Sequence, residues 1–192
     1  MRQAHETRAG LFAVVCALGM SSVCGLLSGC ATQKSGGVVA VGKPTAAAQD
    51  IFAKLKTLEG EWESQDPETG AWRTSSVFSV SSNGSVVREI MMPGTPYEMT
   101  NMYHCDGDSV VVTHFCAIGN QPRMRARKLE GNTAHFTFDS VSNLADANGM
   151  FMGDLKVTIV DADNFSAAWR NFENGKLADT HAPSFVYRRK RS

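Results

Sequence analysis

Charge of a single sign is missing from this chain: its 192 residues carry 19 lysines and arginines against 19 aspartates and glutamates. That balance supplies no basic field to hold nucleic acid and no acidic field to hold a basic partner. Catalytic signatures are missing as well. No Gly-x-Ser-x-Gly elbow, His-Glu-x-x-His, Cys-x-x-Cys, phosphate loop or dinucleotide fingerprint occurs, so nothing in the sequence calls for a cofactor or names a reaction. Cysteine is scarce: there are five, and Cys16, Cys24 and Cys30 fall in the first 30 residues, which leaves only Cys105 and Cys116 for the rest.

What is present begins at the amino terminus. Arg2 and Arg8 precede a mostly apolar run from Leu11 to Leu27 that ends Leu27-Ser28-Gly29-Cys30. A basic start, an apolar middle and small residues at the cleavage point make the pattern of an exported segment. Ser21, Ser22 and Gly25 interrupt the run, which falls short of the roughly 20 residues a membrane span needs. LLSGC resembles the lipobox of bacterial lipoproteins, in which the cysteine is acylated and becomes the first mature residue. The resemblance implies a signal peptide over 1–29, lipidation of Cys30 and a membrane held through palmitate-like chains. By resemblance to the Gram-negative sorting rule, Ala31, rather than Asp, after the cysteine implies the outer rather than the inner membrane of the cell envelope if the cell is Gram-negative. Two or three acyl chains anchor stably where one does so marginally.

Loss of 1–29 removes Arg2, Arg8 and Glu6, leaving 17 basic groups against 18 acidic ones, so the mature chain stays near neutral. Residues 30–44 are small and lack a periodic apolar face, which reads as a flexible tether. Residues 45–192 have the length of one domain with its own core. The basic tail Arg188 to Arg191 reads as a solvated end or a membrane-proximal patch.

Within 45–192 one short helix is expected first, with Thr45 as its cap and Ile51, Phe52, Leu55 and Leu58 on one face. Two-fold alternation then takes over. Phe151, Gly153, Leu155, Val157 and Ile159 alternate with polar or mixed neighbours, as do Phe165, Ala167 and Trp169, and Phe136 and Phe138. Turn residues punctuate these runs at 82–84, 93–96, 106–107, 130–132, 161–164 and 173–175. About ten short strands joined by hairpins predict an all-β antiparallel meander closing into a barrel or sandwich.

Gly60-Glu61-Trp62 resembles the Gly-x-Trp signature that opens the first strand of lipocalins and their calycin relatives. The resemblance implies a lipocalin-like barrel of about eight to ten strands with a short N-terminal capping helix. Trp62 would plug one end beside Gly60, under Arg188 or Arg189 of the last strand, in a cation–π contact of roughly 0.5 to 2 kcal/mol. The Tyr103-His104-x-Asp106-Gly107-Asp108, Thr113-His114-x-Cys116 and Gly119-to-Met124 elements are similar to an uncharacterised bacterial group of lipocalin-like domains, which implies a fold and no function. Nothing matches the proximal histidine of haem-carrying barrels.

THFCAIGNQPRM, residues 113–124, gathers a histidine, a thiol, two amides and an arginine around one loop. Asp106-Gly107 before it reads as a two-residue hairpin turn pairing Cys105 with Asp108. Met99, Asn101, Tyr103, Val110, Val112 and His114 then share an inner face, on which Asn101 needs a hydrogen-bond partner. Cys116 falls eight residues beyond Asp108, roughly 20 Å from Cys105 along the strand. That distance excludes a shared metal ion between the two His–Cys pairs and a Cys105–Cys116 disulfide. His114, Asn120, Gln121 and Arg123, with Tyr103, are the candidate ligand-binding residues at a barrel mouth.

Three functions remain open on the sequence. One is a membrane-anchored carrier or sensor that binds a small apolar or amphipathic molecule in the barrel. A second is a structural or partner-binding lipoprotein whose barrel is filled by Trp62, Trp72, Phe136, Phe138, Phe151, Phe165 and Trp169. The third is an envelope enzyme using His114.

Overall fold

The computed structural model describes residues 41–178 and 184–191; the expected signal peptide, Cys30 and the tether up to residue 40 lie outside them. Helix α1 (Ala46–Lys56) is followed by β1 (Gly60–Gln65), β2 (Trp72–Ser81), β3 (Val86–Met91), β4 (Met99–Asp106), β5 (Ser109–Phe115) and β6 (Gln121–Ala126). Then come β7 (Leu129–Glu130), β8 (Thr133–Ser142), β9 (Phe151–Ile159), β10 (Asn164–Glu173), β11 (Lys176–Leu177) and β12 (Ser184–Arg189). Ten of these strands close on themselves through antiparallel pairing, in the order β10, β12, β1, β2, β3, β4, β5, β6, β8, β9 and back to β10; β7 and β11 are short additions to β8 and β10. Each of the ten is thereby paired on both sides over part of its length.

The helix forms where its cap and spacing require. The Thr45 hydroxyl accepts the Ala48 N–H at 3.3 Å, and Ala48, Ile51, Phe52 and Leu55 turn one buried face onto the barrel. The Thr45 N–H donates to the Gly107 carbonyl at 3.0 Å, so α1 covers the barrel end at which the β4–β5 turn lies. Trp62 is fully buried there, donating its indole N–H to the Leu58 carbonyl at 2.6 Å and meeting Phe165 edge-on at 4.8 Å. Phe78, Phe165 and Tyr187 continue the packing inward. Each such side chain contributes about 1.5 to 3 kcal/mol through burial.

The β4–β5 hairpin is displaced from its expected register. Asp106 pairs with Ser109 and Cys105 with Val110, so the loop residues are Gly107 and Asp108. Gly107 has φ +63°, and a two-residue loop accepts glycine at its first position as readily as at its second. The slip is two residues, which keeps every side chain on its expected face. Cys105 and Cys116 are free, with Cys105 near the Ala48 carbonyl at the helix end.

A second departure lies between β8 and β9. Their ladder runs only from Thr133–Thr158 to Phe136–Leu155; beyond it β8 pairs with β6 and β9 with β10. Gly153 is left out of the β9–β10 pairing as a bulge, and Phe151 then pairs with Phe172. Phe138, Phe151 and Phe172 pack together across this seam at centroid distances of 4.9 to 5.0 Å, apart from the central core. Phe138 is therefore half-exposed and not a filler of the barrel. Trp72 is likewise on the surface, stacked under Arg188 at 3.6 Å.

Candidate functional site

Strands β2 to β5 place four polar side chains on the inner wall, because Ser76, Glu89, Asn101 and His114 fall on the same alternation as Phe78, Val87, Tyr103 and Val112. Glu89 is their centre. Its Oε1 accepts the Ser76 hydroxyl at 2.8 Å; its Oε2 accepts the Tyr103 hydroxyl at 2.9 Å and the Asn101 amide N–H at 2.8 Å. Burial raises the Glu89 carboxyl above its ordinary range against the pull of these three donors. Burial, with the Glu89 carboxylate nearby, pushes the Tyr103 and Tyr187 phenols up as well.

Asn101 hands the network on. Its Oδ1 lies 2.7 Å from His114 Nδ1, and burial lowers the His114 pKa to about 4, so the imidazole is neutral at physiological pH. His114 rests against Trp169 of β10 with ring centroids 5.0 Å apart. Both are buried, and both keep a polar atom with no partner: His114 Nε2 and Trp169 Nε1. They sit in the half of the barrel away from α1, since β5 runs from the helix-covered turn toward Phe115. Beyond that end Tyr97, Phe115, Ile118 and Met150 are exposed apolar side chains.

The other expected ligand-binding residues do not gather at His114. Pro122, Met124 and Ala126 take the inner face of β6, which sends Gln121 and Arg123 outward. Arg123 joins an outer-wall cluster: Asp106 Oδ2 lies 3.3 Å from its Nη2 and 2.6 Å from Arg125 Nη1, and Asp139 lies 3.4 Å and 2.9 Å from the two Nε atoms. Gln121 donates to the Gly119 carbonyl at 2.7 Å and accepts from the Ser142 hydroxyl at 3.0 Å. Asn120 is buried and donates to the Met150 carbonyl at 3.0 Å, tying two loops together, while its Oδ1 has no partner. Tyr103 is inside, bound to Glu89 and linked to His114 only through Glu89 and then Asn101.

At the helix end Gly60, Trp62 and Arg189 meet, while Arg188 does not join them. Arg189 lies over Trp62 at 4.2 Å and donates to the carbonyls of Thr57, Glu59 and Ala162 at 2.8 to 2.9 Å. Gly60, at φ +128°, leaves room for it: a Cβ there would stand 2.9 Å from Arg189 Nη1. Arg188 instead covers Trp72 and pairs with Glu63 at 3.1 Å. A surface cleft of about 620 Å³ is lined by Glu63, Asp163, Asn164, Arg188, Arg189 and Arg191, but its arginines are engaged by carboxylates and carbonyls. Among the described residues no three His, Cys, Asp or Glu side chains stand together as metal ligands, and no helix is long and apolar enough to cross a membrane.

Sequence reasoning missed Glu89. Its position between Val87 and Met91 was a usable signal, because an inward carboxylate in an alternating strand demands partners. The chain matches no protein-family profile and no curated protein. The closed antiparallel barrel, a fold compatible with ligand binding, is thus the class of structure established for it.

Proposed function

We propose that this is a lipid-anchored envelope protein whose barrel holds one small apolar or amphipathic molecule as a carrier or sensor, with the molecule's polar end at His114 and Trp169. One observation carries the reading. In an interior where Glu89, Asn101, Tyr103 and Trp62 are all hydrogen-bonded, the neighbouring, mutually tilted rings of His114 and Trp169 each keep a buried polar atom unpartnered. Such atoms cost about 1 to 3 kcal/mol each unless something meets them. The exposed apolar side chains at that barrel end suit an apolar body or its point of entry.

The LLSGC sequence supports the anchor, and labelled palmitate should enter the wild type but not Cys30→Ser. Native mass spectrometry of the full chain, extracted in mild detergent from its own membrane, should show one small molecule retained and its loss from a His114→Phe, Trp169→Phe double variant. A bare chain in every preparation would favour the filled-barrel reading, which the continuous packing of Trp62, Phe165, Phe78 and Tyr187 supports in the helix half.

A further inference from the structure

The hydrogen-bond polarity of the inner network determines what His114 and Trp169 can accept. Glu89 Oε2 faces both the Tyr103 hydroxyl and Asn101 Nδ2. It accepts from both whether the carboxyl is ionised or carries its proton on Oε1, toward the Ser76 hydroxyl. Met91 Sδ, 3.3 Å from the same Asn101 nitrogen, also suits a donor there. The Asn101 amide is thereby oriented, and its Oδ1 must accept from His114. Nδ1 of the imidazole therefore bears the proton, and Nε2 is a bare lone pair. Trp169 Nε1 can only donate. The two neighbouring rings thus offer one acceptor and one donor, both buried and both unpartnered.

We infer that the barrel recognises an uncharged hydroxyl, that of an alcohol, which gives its proton to His114 Nε2 and takes the Trp169 Nε1–H. This rests on the reading of the interior as a ligand site. A carboxylate brings no proton for Nε2 and sets its own lone pairs against it, in an interior that already holds the Glu89 carboxyl. An ammonium group leaves the indole N–H unmet. A hydroxyl satisfies both atoms with no net charge to desolvate. Glu89, Asn101 and Tyr103 act here as positioning residues, since they set the tautomer without reaching the ligand.

The test uses the full chain in detergent micelles with nitrogen-15 in histidine and tryptophan, 1-hexanol and hexanoate as probes at pH 8, and Trp169→Phe to assign the indole signal. Ligand-free protein is expected to show His114 as the Nδ1–H tautomer. Hexanol is expected to move the Trp169 indole and His114 Nε2 signals saturably while the Trp62 and Trp72 indoles stay still, and hexanoate to bind at least about tenfold more weakly. His114→Asn, which keeps a donor for Asn101 and lacks Nε2, is expected to lose the hexanol response. An Nε2–H tautomer, or hexanoate binding as tightly as hexanol, overturns the hydroxyl assignment and leaves a ligand site standing. No saturable response to either probe overturns the ligand reading itself and leaves an ordered water as the occupant.

Discussion

Acid should unfold this barrel through His114. The imidazole takes its proton near pH 6.5 in an unfolded chain and at about 4 in the barrel, where burial opposes the charge. Between those values the unfolded state binds a proton that the folded state refuses, so stability falls as pH falls. The contribution is intact above pH 6.5 and is lost progressively down to about pH 4, where the loss reaches about 3 kcal/mol. Glu89 runs the other way: its raised pKa means stability is lost as pH climbs above its ordinary value of 4.5. Comparison with His114→Asn isolates the histidine, because the variant keeps Glu89, Tyr103 and a donor to Asn101 while removing the titrating ring. The shared Asn101 couples the two sites, so cancellation of the Glu89 effect is good only to a few tenths of a kcal/mol. Urea unfolding of both proteins at pH 7 and pH 4 should show the wild type losing about 3 kcal/mol more than the variant. At a slope of about 1 to 3 kcal/mol per molar, that is a relative midpoint shift on the order of 1 to 3 M. Parallel behaviour of the two proteins within about 0.5 kcal/mol would refute a neutral, buried His114.

Two further substitutions test the frame around the site. Gly153→Ala puts a methyl 2.6 Å from Phe172 Cδ2 and 2.8 Å from Phe151 Cε2, so calorimetry should show a loss of about 1 to 3 kcal/mol as the aromatic seam is overpacked; an unchanged midpoint would show that the seam yields freely. Arg189→Lys keeps the charge but cannot reach the Thr57, Glu59 and Ala162 carbonyls together, and should cost about 1 to 3 kcal/mol, whereas exposed Arg188→Lys should cost under about 1 kcal/mol. Equal losses would show that the carbonyl clasp contributes nothing of its own.

The helix was legible because its cap and buried face are local: Thr45, Ile51, Phe52 and Leu55 carry the pattern within a few turns. Strand faces were legible for the same reason. Register was less so, since Gly107 can serve either loop position, and only the pairing of Asp106 with Ser109 distinguishes them. Arg123 is close to His114 along the chain but not in space, because the alternation of Pro122, Met124 and Ala126 sends it outward. Phe138 escaped the core because β8 parts from β9 after Phe136, and no local residue signals where a ladder stops. The polar network was least visible, since Ser76, Glu89, Asn101 and His114 come from four strands and each taken alone is an anomaly on an apolar face.

That same network makes the two unmet atoms informative. The helix half of the barrel satisfies what it buries: Trp62 finds the Leu58 carbonyl, and Arg189 finds three more. Glu89, costlier to bury because its carboxyl can carry a charge, receives three donors. Against that background, two unmet atoms on neighbouring rings cost about 2 to 6 kcal/mol together, a large share of the roughly 5 to 15 kcal/mol by which domains are stable. Phenylalanine at 114 and 169 would remove most of that cost, although Asn101 Oδ1 would then need another donor. A water could meet both atoms, and so could a hydroxyl. The two occupants behave differently toward an added alcohol, because a water leaves Trp169 indifferent to it, whereas a recognised hydroxyl must compete for the indole N–H and displace whatever satisfies it.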